Sequence, residues 1–172
     1  STIEHILSAL TGMGVDNAII EINNVEVPIL DGSAKPYIDA MWADGFEQQD
    51  APRRYIEIKE TIEIRNDETG SVVRIEPAEE FSYDIVVDFN SRVLGVQHAI
   101  WNPSVVYAEE IGVCRTFVFF HEIEFLFKNG LVKGGDVDNA IVIVEHPVTP
   151  EQVQNMSTLF NIPALEVRED GY

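Results

Sequence analysis

Glu4 and His5 set a carboxylate beside an imidazole, on a stretch whose apolar residues recur at helical spacing. An imidazole early in a helix can reach a metal ion, and an adjacent carboxylate can take a proton from metal-bound water. The plainer reading makes Glu4 the capping-box partner of Ser1 and His5 a surface or cleft-lining side chain. One histidine cannot hold zinc, which needs three or four ligands. His98, His121 and His146 are followed four residues later by Asn102, Phe125 and Pro150, so none starts a second ligand pair. Asp136 and Asp138, after Gly134-Gly135, fall far short of a calcium-binding loop. Arg115-Thr116 puts a hydroxyl ahead of Phe117-Val118-Phe119-Phe120, where a helix cap followed by core aromatics accounts for the residues equally well. A metal-free hydrolase built on Glu4 and Asp31 would need the two carboxylates on the order of 5–10 Å apart, and Asp31 already has a turn-forming role. Cys114 lacks a nucleophile motif and reads as a small buried apolar residue. Nucleophile-elbow, phosphate-loop and dinucleotide fingerprints are absent.

The elements that would position these residues follow from hydrophobic period. The 172 residues are 45% hydrophobic and 24% charged, a globular balance. Eleven Lys and Arg face 30 Asp and Glu, a net charge of −19 that repels phosphate backbones and anionic lipid, so no nucleic-acid partner is expected. No apolar run is long enough to span a bilayer, and the start lacks a signal peptide's charged and apolar regions. With a single cysteine, the composition points to a soluble protein of a reducing compartment, the cytoplasm.

Ile3, Ile6, Leu7, Leu10 and Met13 form one helical stripe, closed by Gly12 and Gly14. Residues 18–22 and 25–29 read as two short strands around Asn23-Asn24, and residues 35–45 as a second helix behind the Asp31-Gly32-Ser33 turn. A polar break at 47–52 is read as a linker, dividing the chain into 1–50 and 51–172. Beyond it the period changes to two, over 55–65, 71–75 and 81–89, as in an antiparallel meander of about four strands. Residues 107–129 read as helical in parts, 140–144 as a buried strand and 151–160 as a last helix. The fold class is α+β, with sheets layered on helices.

Four ordered blocks carry a resemblance that spans the chain: Thr2 to Asn17, Val27 to Ala34, Cys114 to Phe119, and Gly130 to Gly135 with Asp138 to Val142. Together they resemble the UDP-3-O-acyl-N-acetylglucosamine deacetylase family, zinc amidases of lipid A biosynthesis. The resemblance implies two domains, each a sheet on a pair of helices. Residues 1–50 would form the later part of the first, and 51–172 most of the second with its acyl-passage insert. It implies His5 as a zinc ligand, Glu4 as the general base and Thr116 as the hydroxyl that stabilises the oxyanion. Phe117 and Phe119 would lie near the substrate, a UDP-linked acylated glucosamine. Ile123, Val132, Gly135, Ala140 and Val142 would line the passage for its acyl chain, although plain core packing explains such residues as well.

The chain departs from the family pattern in lacking a second zinc histidine followed four residues later by aspartate. The family's C-terminal histidine, its zinc-site lysine and the strands before Glu-His are missing too. An internal segment of the enzyme is therefore expected, carrying one of three Zn2+ ligands and inactive by itself. Self-association through exposed core or sheet edges is expected to accompany it. The alternative is a non-catalytic binding domain that keeps the fold without the metal site.

Overall fold

The computed structural model describes residues 2–130, 138–163 and 166. Its elements are α1 (Glu4–Gly12), α2 (Lys35–Asp44), β1 (Ile62–Arg65), β2 (Val72–Ile75), β3 (Tyr83–Asp88), β4 (Val96–Trp101), α3 (Tyr107–Glu110), β5 (Phe117–Phe119), α4 (Phe120–Lys128), β6 (Ile141–Ile143) and α5 (Pro150–Phe160). The class is α+β, as the periodicities imply.

Helix α1 forms where the apolar stripe predicts. Its N-cap is Ile3 without a side-chain bond, and Ser1 lies outside the described residues. Its far end is closed by backbone geometry. Gly14 takes φ +73, and the Val15 and Gly14 amides return to the Leu10 and Thr11 carbonyls, satisfying groups the helix leaves open. Helix α5 has the complete capping box: Thr149 accepts from the Gln152 amide while the Gln152 side chain accepts from the Thr149 amide.

The core joins segments far apart in sequence. Ala9 of α1, Ala34 and Ile38 at α2 and Ala108 of α3 are buried together, with Met13, Tyr37, Met41 and Tyr107 packed around them. Small residues let the helix backbones approach closely, and Ile38 fills the centre with no exposed surface. This cluster draws on both sides of the 47–52 break, since Ala108 of α3 packs with α1 and α2.

The strands differ from expectation in an instructive way. Residues 18–22, 25–29 and 55–60 have alternating or apolar patterns but are not strands. Ile19 and Ile56 are more than nine-tenths exposed. A period-2 pattern states which face a segment can bury; a ladder also needs a second strand alongside, and among the described residues these three segments form no strand pair. The expected meander forms as two separate antiparallel pairs, β1–β2 and β3–β4, with Ile62 opposite Ile75 and Tyr83 opposite Trp101. The sequence reading missed β4. Phe117–Phe119, read as part of a helix, is strand β5; it pairs in parallel with β6, Val118 opposite Val142. The helical period starts only at Phe120. No helix among the described residues is long and apolar enough to cross a membrane.

Replacing Ile38 with alanine is expected to destabilise the fold by about 2–5 kcal/mol, since a wholly buried side chain is lost at a three-helix contact. Urea unfolding of wild type and variant measures this directly.

Candidate functional site

Three distant stretches meet at the Asp31-Gly32-Ser33 turn. The Asp31 carboxylate accepts from the Ser33 amide at 3.0 Å and the Ser33 hydroxyl at 2.8 Å, and Ser33 is itself buried. The Arg115 guanidinium donates to the Asp31 carbonyl at 2.7 Å and to the Asp138 carbonyl. The Thr116 amide donates to the Gly32 carbonyl at 2.8 Å, and the Thr116 carbonyl accepts from the Ile141 amide at 2.9 Å. Thr116 is thus tied on one side to the turn and on the other to the start of β6. Its fixed backbone precedes a strand, so the helix-cap reading of its hydroxyl does not apply. Gly32 is required here for two reasons. Its φ is +82, and a Cβ would strike the Asn139 carbonyl.

Burial pushes the Asp31 carboxyl up, but the Ser33 hydroxyl and amide and the Arg115 charge outweigh it and hold the group below its ordinary value.

Beside this clasp lies a cavity of about 1060 Å3. Strand alternation explains much of its lining. Thr116 and Val118 share one face of β5, Ala140 and Val142 the matching face at β6, and all four border the cavity. Ile123 and Leu126 of α4 and Phe160 of α5 add apolar wall. Phe117 also borders it, while its ring meets Phe89 and Phe119 edge-on. Phe119 does not line the cavity. It is buried on the other face of β5, against Phe89 and Phe117 and stacked on His121 at 5.5 Å. Of the seven residues expected near substrate, Phe117, Ile123, Ala140 and Val142 are brought together around Thr116. Val132 and Gly135 lie outside the described residues.

Glu4 and His5 occupy the first turn of α1, Glu4 exposed and His5 half-buried. Thr2 and Ile6, on either side of the pair, line the cavity; Glu4 and His5 are not in its wall. His5 offers one imidazole to a metal. Among the described residues no three of His, Cys, Asp or Glu gather as a metal-binding set. These donors alone do not fit a zinc ion, which needs at least three.

Sequence reasoning missed Arg115 as a clasp, Leu126 and Phe160 as cavity wall, and the aromatic group around Phe89. Only Asp31-Gly32-Ser33 gave a local signal, as a turn.

Two outcomes follow from the clasp. A depressed carboxyl contributes stability that is present above its unfolded pKa of about 3.8 and lost as pH falls through the lower folded value. The stability gap between wild type and Asp31→Asn should therefore shrink as pH drops below that range, read by thermal unfolding across pH. Gly32→Ala should cost about 1–3 kcal/mol from the left-handed backbone alone. The steric clash adds to this, so the melting temperature falls further than backbone strain predicts.

With this geometry in hand, comparison with known proteins places the chain. The family model described as LpxC, UDP-3-O-acyl N-acetylglycosamine deacetylase, matches residues 1–157. The bifunctional enzyme LpxC/FabZ of Porphyromonas gingivalis is 40% identical over all 172 residues, which cover 37% of that protein. The UDP-3-O-acyl-N-acetylglucosamine deacetylase of Helicobacter hepaticus is 44% identical over 149 residues, 86% of this chain and 49% of that protein. That of Helicobacter pylori is 40% identical over 149 residues, 86% of this chain and 50% of its own length. The chain thus spans between about a third and a half of these relatives. The match over most of its length has one reading: the chain belongs to the LpxC family of UDP-3-O-acyl N-acetylglycosamine deacetylases.

Proposed function

We propose that the chain is part of a cytoplasmic, zinc-dependent amidohydrolase of lipid A biosynthesis. Its reaction removes acetate from UDP-3-O-(3-hydroxyacyl)-N-acetylglucosamine. The observation that carries this is the apolar cavity built directly against the clasped Thr116, with the start of α1 at its wall. An acyl chain buried there gains ~0.8 kcal/mol per methylene, enough for the lipid part of the substrate to anchor the sugar. Thr116, fixed through its backbone, offers a hydroxyl that can donate to the oxygen gaining charge as the amide carbon becomes tetrahedral. Glu4 is the carboxylate that accepts the proton of attacking water. His5 supplies one metal donor, and the zinc set is completed by groups other than the described residues.

Two experiments test this. Calorimetry with the acylated UDP-sugar should show saturable binding to the chain, lost in Val142→Asp; absence of binding would remove the basis of the proposal. Purified chain given zinc should release no acetate, because one imidazole does not hold the ion. Within a polypeptide of the relatives' full length, Glu4→Gln should lower deacetylation by about 10²–10⁴-fold, the range for loss of a general base.

The same chain is proposed to self-associate. Ile64, Val73, Val86 and Val96 on the two antiparallel pairs are each more than three-fifths exposed, and such edges invite pairing. The net charge of −19 opposes it. Association should therefore strengthen as salt screens the charge. Sedimentation showing a monomer at every salt concentration would contradict this.

A further inference from the structure

We propose that Phe160 sets the length of acyl chain that the cavity accepts. The inference rests on reading that cavity as an acyl site, and it concerns a residue beyond the family-matched stretch, which ends at 157. Besides Phe117, the strand side of the wall offers the short side chains Thr116, Val118, Ala140 and Val142. Phe160 is the only aromatic residue of α5. It stands in the same wall as Leu126 and packs edge-on against Phe127 at 5.9 Å.

The ring is carried on a well-anchored element. Helix α5 is capped at its start by Thr149 and Gln152 and buries Val153, Met156 and Ser157. It ends at Asn161 in the left-handed conformation, with the Ile162 amide returned to the Ser157 carbonyl. Phe160 is the last helical residue before that stop, so the cap fixes its Cα, and the edge contact with Phe127 is what holds the ring. A bulky group on a rigid helix acts as a wall, whereas the same group on a loop would yield to a longer ligand. Longer chains meet the ring, and shorter ones leave apolar surface unfilled.

The test uses a homologous series of 3-hydroxyacyl methyl esters, each longer than the last by two methylenes. They are uncharged, so the net charge of −19 does not repel them. Dissociation constants are measured calorimetrically for wild type, Phe160→Ala and Phe160→Trp, with circular dichroism confirming that each is folded. Wild type should show an optimum length. Phe160→Ala should move it at least one step longer and bind the longer ester about tenfold more tightly, as expected from burying two further methylenes. Phe160→Trp should move it one step shorter, and carries the test alone if the alanine variant does not fold. An unchanged optimum in the folded variants overturns the role of Phe160 and leaves the acyl site standing. Failure of wild type to bind any member of the series overturns both.

Discussion

The hydrogen bond from the Thr116 amide to the Gly32 carbonyl sets the geometry on which the rest of the site depends. It brings a turn from the first third of the chain against the start of β5, and Arg115 reinforces it by donating to two further backbone carbonyls. A guanidinium suits this task because its donors are held in a rigid plane and its charge persists at any ordinary pH. The Thr116 carbonyl then seeds the pairing with β6, so the turn, β5 and β6 form one continuous hydrogen-bonded path. The cavity wall is a by-product of that path, since strand alternation sends Val118, Ala140 and Val142 to the same side as Thr116.

Helices were legible in the sequence where an apolar stripe met a local stop signal. Both conditions held for α1 and α2, while α5 was read from residues 151–160 and forms over Pro150–Phe160. Strands were legible only as candidates. Residues 18–22 and 55–60 have the right pattern but form no strand pair among the described residues, whereas Val96–Trp101 pairs with β3 although its pattern did not stand out. Pairing depends on what lies beside a segment, and periodicity does not encode that. Phe117–Phe119 failed for a related reason: aromatic residues at positions 117, 120 and 127 fit helical spacing, but β6 provides a partner that converts the first of them to strand.

The site was partly legible. Resemblance gathered Thr116, Phe117, Ile123, Ala140 and Val142, and the structure brings those five together. It also suggested Phe119, which strand alternation places on the opposite face within an aromatic group. The clasp was invisible because most of its bonds end on backbone carbonyls, which leave no mark on residue type. Phe160 was invisible because one aromatic residue closing a helix resembles ordinary core.

The clasp also bears on how the family can vary. Arg115 reaches back 84 residues to the Asp31 carbonyl, and the stretch between holds both antiparallel pairs. Closing a loop of that size carries an entropic penalty of about 4 kcal/mol, yet doubling its length adds only ~0.6 kcal/mol. Insertions or deletions within the two hairpins are therefore nearly neutral for the clasp. A change in hairpin length leaves the peptide group that holds Thr116 where it is.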